Sequence, residues 1–254
     1  KSTPKSFGVE TSNPYQGGNR MRREDLDRFY ELLHELEKRI GGVRYLADAG
    51  ARKGLPQRGV YFFFEPGEYR EDGKTPRVVR VGTHAVSEGS SSTLWGRLAQ
   101  HRGRLTGGGG NHRGSIFRLH VGTALLNRGM ATAAAAVQWG SSHRPPEGEL
   151  REAERLVEQA VSQYIRAMPF LWLAVEDPPS KTSDRKRIET GSIALLSNLG
   201  REPVDPASPG WLGRWADREL VRGSGLWNVN HVDEEYEPSF LLLLEQYIRL
   251  MRPM

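Results

Sequence analysis

Arg97 and His101 stand four residues apart in Thr93-Leu94-Trp95-Gly96-Arg97-Leu98-Ala99-Gln100-His101, a stretch that Ser92 or Thr93 can cap as a helix. At that spacing a guanidinium and an imidazole share one helix face, a fixed cation beside a ring that can carry a proton. The surroundings are basic. From Pro76 to His120, seven arginines (Arg77, Arg80, Arg97, Arg102, Arg104, Arg113, Arg118) face a single acid, Glu88, a local surplus of six where the whole chain carries +5. An excess of that size favours a phosphate-bearing partner. It makes Arg102, Arg104, His112, Arg113 and Arg118 candidate nucleic-acid contacts, although charge alone fits a solvated basic surface equally well. The loop Gly107-Gly108-Gly109-Gly110-Asn111-His112-Arg113 lets backbone amides approach an anion, but it lacks both the lysine-serine pair of a P-loop and the dinucleotide spacing after a strand. A plain flexible loop is the simpler reading. Glu147, Glu149, Glu152 and Glu154 gather where a helix begins, and acids there suit the helix dipole better than they argue for a metal. Glu189, in Arg185-Lys186-Arg187-Ile188-Glu189, taken alone reads as a surface residue of a helix.

The elements that must hold these groups are legible from periodicity. Arg58 to Phe64 and Arg77 to Thr83 have apolar, β-branched or aromatic centres, and the twelve residues between them carry Pro66-Gly67, Asp72-Gly73 and Pro76. That is the pattern of an antiparallel hairpin, with Glu65, Glu68, Glu71 and Asp72 expected at a polar, mobile tip. Residues 1–20 read as an arm without a core. Arg22 to Ile40 reads as an amphipathic helix with Leu26, Phe29, Leu33, Leu36 and Ile40 on one side, stopped by Gly41-Gly42; His34 lies at its boundary. Ser115 to Val121 partly alternates and reads as a strand, with His120 on the solvent side. Residues 123–148 are hard to place; Gln138, Trp139, His143 and Arg144 there are only nominal DNA contacts. Glu149 to Met168 has strong helical spacing, Phe170 to Val175 reads as a buried central strand, and Ser183 or Asp184 caps a helix that carries Glu189. Residues 200–225 read as an irregular excursion around Trp211 and Trp215. Trp227 is expected in the core, His231 more in packing than in contact with DNA, and a closing helix runs from about Pro238 to Met251.

Composition removes several classes. A chain of 254 residues buries a full core as one domain with appendages, read as 1–55 (arm and amphipathic helix), 56–200 (core with an inserted strand and helix) and 201–254 (extension packed on the core). With no cysteine there is no disulfide framework and no thiolate metal site. The longest apolar run, Phe240 to Leu244, is far too short to cross a bilayer, and no signal peptide stands at Lys1, so the expected location is cytoplasmic.

The ordered set Gly59-Val60-Tyr61, Arg80-Val81-Gly82, then Arg97 and His101 on a helix, then Glu189 on a later helix, resembles the GIY-YIG nuclease family, in pattern its restriction-endonuclease branch. The resemblance covers roughly residues 58–230. It departs at the second motif, where Arg80 replaces the tyrosine. The family asparagine corresponds to Asn198, nine residues after the glutamate, or to Asn228 if an insertion intervenes. The resemblance implies an α/β (α+β) fold: a small central, mainly antiparallel sheet flanked by helices, with an N-terminal helix and a C-terminal extension. It implies a metal-dependent endonuclease acting on double-stranded DNA, often as a homodimer, with no membrane partner. Tyr61 becomes the general base, Arg97 the phosphate ligand, His101 the proton acceptor or relay, Glu189 the ligand for Mg²⁺ (or Mn²⁺), and Asn228 a further catalytic residue. Arg80 is then a second cation at the phosphate. A free tyrosine in water, with a pKa of about 10, is roughly 0.1% ionised at pH 7, so such a base needs cations or a proton acceptor beside it. The alternatives are a catalytically inactive nucleic-acid-binding module on the same scaffold and a partner-binding protein using its amphipathic helices.

Overall fold

The computed structural model describes residues 14–106, 109–129, 139–140 and 147–253, with side chains from residue 20 onward. Gln138, His143 and Arg144 lie outside these residues. The apolar run from Val60 to Phe64 is buried at every position because its strand is internal and covered on both faces. Four strands form one sheet in the order β1-β4-β2-β3: β1 (Arg44–Tyr45), β2 (Gly59–Tyr69), β3 (Pro76–Gly82) and β4 (Pro169–Ala174). Every pairing is antiparallel, Tyr61 lying opposite Gly82 on β3 and Trp172 on β4.

Alternation along β2 sends its aromatics to opposite sides. Phe62 meets Phe29 of helix α1 (Pro14–Arg39), with ring centroids 5.9 Å apart. Tyr61 and Phe63 turn the other way. Tyr61 meets His101 of α2 (Leu94–Arg102) at 5.6 Å, and Phe63 meets Phe117 of α3 (Ile116–Asn127) at 5.8 Å. Burying each such ring contributes about 1.5–3 kcal/mol. Helices α4 (Gly148–Arg166), α5 (Asp184–Leu196), α6 (Glu219–Ser224) and α7 (Ser239–Leu250) complete an α/β fold of seven helices and four antiparallel strands among the described residues. The apolar stripe of α1 is buried throughout, as its periodicity requires.

The two motif glycines have steric causes. A Cβ on Gly82 would come within 2.2 Å of the Tyr61 hydroxyl, and one on Gly59 within 2.2 Å of the Leu173 carbonyl oxygen. Glycine at 82 is what lets the tyrosine lie across the neighbouring strand.

Four sequence expectations change. Residues 115–121 are not a strand: Ser115 caps α3, its hydroxyl accepting from the Arg118 amide, and Phe117, Val121, Ala124 and Leu125 form a helical stripe while Leu119 is only half-buried. His120 is therefore buried rather than solvent-facing. The hairpin tip is shorter than expected, since β2 runs on to Tyr69 and buries both Glu65 and Glu68. Glu65 accepts the indole N–H groups of Trp211 and Trp227 at 3.1 and 3.0 Å and the Tyr164 hydroxyl, and Glu68 pairs with Arg77 at 2.8 Å. Helix α1 begins at Pro14, a residue suited to a first turn, so the expected arm contributes its last residues to the helix. Residues 200–225 hold a short 3-10 turn (Leu212–Trp215) and α6, and Trp211 is fully buried.

Candidate active site

Tyr61 and Arg80 rise from the same face of the sheet, because Tyr61 pairs with Gly82 and Phe63 with Arg80. They open into a cleft of about 110 Å³ also lined by Thr83, Arg97, Lys186, Glu189, Asn228 and His231. Of the residues singled out from the sequence, Tyr61, Arg80, Arg97, Glu189 and Asn228 thus meet in one place.

His101 sits behind them, fully buried, with its Nε2 2.8 Å from the Tyr61 hydroxyl and its Nδ1 2.8 Å from the Ser115 hydroxyl. Helix α2 is positioned for this by the Thr93 cap, whose hydroxyl accepts from the Gly96 amide at 3.0 Å, and by Arg118, which donates to the His101 carbonyl at 2.8 Å. Burial first, then Arg80, Arg97 and Arg118, holds the His101 pKa well below the usual histidine range. The ring is neutral at physiological pH, a proton acceptor hydrogen-bonded to a phenol.

Arg80 is almost completely enclosed. It donates to the Trp227 carbonyl at 2.8 Å, lies 4.6 Å over the Phe117 ring, and leaves its Nε without a partner. Burial lowers its pKa from the ordinary arginine value. Arg97, half-exposed, bonds Gln100 at 2.9 Å and keeps the outer wall of the cleft positive. Asn228 clamps the free edge of β3: its Oδ1 accepts from the Val81 amide at 3.1 Å and its Nδ2 donates to the Val81 carbonyl at 2.8 Å. Asn198 lies elsewhere, accepting from Arg22 at 2.8 Å and from the Val204 amide at 3.0 Å. Glu189 accepts from the Thr83 amide at 3.1 Å through one carboxylate oxygen and from the Lys186 ammonium at 3.0 Å through the other. Thr83, Ser115 and Lys186 are the site residues that sequence reasoning did not single out. Only Lys186, three residues before Glu189 on a helix, had a usable signal.

The candidate nucleic-acid contacts do not form one surface. Arg118 is fully buried, bonded at 3.0 Å to Glu158 of α4, and His112 is buried against the same carboxylate at 3.0 Å. Neither is presented to a phosphate backbone, because the expected strand is a helix packed on α4. Arg113 forms a bidentate pair with Glu154 at 2.7 Å. Arg102 lies over the Trp95 ring at 4.7 Å, and Arg104 is exposed. His112, Glu154 and Glu158 bring ligand atoms within 4.8 Å of one another, a possible cation site, but Arg113 and Arg118 already neutralise both carboxylates.

His84 and His120 are also buried, which lowers each pKa to about 4, Arg185 adding to the effect at His84 and Arg80 at His120. With His101 they are refused protons in the native state that the unfolded chain accepts below about 6.5. Their stabilisation is complete above that pH and is lost as pH falls towards 4, by up to about 1.4 kcal/mol per pH unit for each ring. Thermal melts from pH 7.5 to 5 are expected to show a steadily falling Tm; a flat profile contradicts neutral buried histidines.

A family model described as a GIY-YIG domain matches residues 20–254. No curated protein and no solved structure matches the chain.

Proposed function

The chain belongs to the GIY-YIG domain family, whose members are nucleases acting on DNA, and on that premise we propose that it is a divalent-metal-dependent endonuclease of restriction-enzyme type that hydrolyses phosphodiester bonds of double-stranded DNA. One observation carries the reading: a buried, neutral His101 hydrogen-bonded to Tyr61 from behind a cleft that Tyr61 lines together with two arginines and Glu189. Glu189 fits a cation, for its carboxylate faces the cleft and already pairs with an ammonium. A Mg²⁺ or Mn²⁺ ion held there would polarise a phosphate oxygen and offset charge on the departing 3′ oxygen.

The protein's own groups supply the remainder. Arg97 and Arg80, which both line the cleft, bind non-bridging phosphate oxygens, Arg97 from its half-exposed outer wall and Arg80 from the enclosed side. Tyr61 lies beside the attacking water. As its oxygen takes the water proton, its own proton passes to Nε2 of His101, the new bond forms at phosphorus and the 3′ oxygen leaves. Substrate phosphate at Arg80 and Arg97 offsets two of the cations that keep His101 neutral, so proton acceptance becomes easier once DNA is bound. Asn228 fixes the edge strand from which Arg80 projects.

Supercoiled and linear plasmid incubated with Mg²⁺ is expected to be cut into discrete fragments, and EDTA to abolish the cutting. Cutting unaffected by EDTA would remove the metal. One feature favours a binding-only module, the replacement of the second motif tyrosine by Arg80; intact binding with no cutting under any metal would select it.

A further inference from the structure

Lys186 is the residue in the cleft that the reaction above leaves unused. Its ammonium donates to Glu189 Oε2 at 3.0 Å and to His231 Nε2 at 2.5 Å, while His231 Nδ1 lies 2.6 Å from Glu234 Oε1. Because an ammonium only donates, His231 must accept at Nε2 and donate from Nδ1 to Glu234. A row of four groups therefore runs Glu189, Lys186, His231, Glu234. His231 adopts a left-handed backbone, φ +64°, a conformation uncommon for a residue with a Cβ and maintained here by its neighbours. An ordinary i,i+3 ion pair on a helix surface contributes little. This one is different in setting, since the two side chains are only 26% and 15% exposed and the ammonium has a second partner from another segment.

Lys186 and His231 also line a second, larger cleft of about 510 Å³, which Glu234 borders as well. They form the wall between the two spaces. A divalent cation at Glu189 needs the carboxylate oxygen that Lys186 holds, and two cations at one carboxylate repel each other. Lys186 has somewhere to go: the His231 and Glu234 side of the wall, where a carboxylate stands beside open space.

We propose that Lys186 is an internal counter-cation that occupies Glu189 when no metal is bound and is exchanged for the metal, its ammonium moving to the His231–Glu234 wall of the second cleft. The lysine would keep the carboxylate oriented and set a threshold for metal binding. This rests on the reading of Glu189 as the metal ligand.

The test is Mn²⁺ titration of the full chain, followed by loss of the free-ion electron paramagnetic resonance signal, in wild type, Lys186→Met, Lys186→Gln and Glu189→Ala. Circular dichroism establishes that each variant is folded, and the glutamine variant keeps a polar group should methionine disturb packing. Both lysine variants are expected to bind Mn²⁺ at least about tenfold more tightly, equivalent to about 1.4 kcal/mol, and Glu189→Ala to lose the site. If the lysine variants bind no better than wild type while Glu189→Ala loses the site, the counter-cation role is overturned and the metal reading stands. If Glu189→Ala binds as wild type does, both fall together.

Discussion

Glu189→Ala is expected to slow single-turnover DNA cleavage at least about a thousandfold. A metal acting as a Lewis acid at a phosphate is worth several kcal/mol of transition-state stabilisation, and about 4 kcal/mol corresponds to three powers of ten in rate. The fold should survive. The Thr83 amide loses an acceptor and Lys186 a carboxylate, but Lys186 keeps His231, and a lost hydrogen bond in a half-open cleft costs about 1 kcal/mol. Glu189→Gln separates charge from shape, because it keeps an acceptor for Thr83 and removes only the negative charge. Both variants should bind DNA while failing to cut it, as read by gel shift beside the cleavage assay. Cutting within tenfold of wild type in either would remove Glu189 from the metal site.

Tyr61→Phe is expected to lower the cleavage rate by about a hundredfold to ten-thousandfold, the range that a positioned proton-transfer group supplies. Phenylalanine keeps the ring in its edge-to-face contacts with Phe63 and His101, at 5.5 and 5.6 Å, so the core changes little. The loss is confined to one oxygen. Without it, His101 Nε2 is left buried and unbonded, a cost of about 1–3 kcal/mol to stability that thermal melts would register. DNA affinity, carried by arginines, should stay near wild type. A variant that cuts normally would show that the hydroxyl is structural and that another group activates the water.

The parts of this architecture that were legible in the sequence are those whose period is set by their own residues. The hairpin, the stripe of α1, the helix over 148–166 and the strand Phe170 to Ala174 each announce which face is buried, and Tyr61, Arg97 and Glu189, named from their order along the chain, line one cleft with His101 behind Tyr61. What stayed illegible depends on partners far along the chain. Arg118 and Glu158 are 40 residues apart and Arg113 and Glu154 are 41 apart, so a count of basic residues could not reveal that those charges are spent internally. Arg77 is likewise absorbed by Glu68. The positive surface around α2 is correspondingly smaller than the raw surplus of six, and DNA binding is expected to depend less steeply on salt than if each of those six charges met a phosphate. Ser115 to Val121 misled for a local reason. Seven residues in which Phe117, Leu119 and Val121 alternate fit either period, and the deciding feature was Ser115 as a cap for a helix whose stripe continues through Leu125. Asn228 is preferred to Asn198 only on condition of an insertion after Glu189, and what the sequence could not show is that the Trp227–Asn228 segment pairs with the outer edge of β3 while Asn198 bonds Arg22.

The cleft draws its side chains from Tyr61 on an early strand through to Asn228 and His231, near the chain's last helix, with Glu65 tying the first of these segments to the last through Trp211 and Trp227. Such distant pairings form slowly during folding, after local helices and the hairpin have appeared. A refolding chain should therefore regain most of its helical signal before it regains any capacity to cut DNA, and the interval between the two is the time this protein spends ordered but harmless.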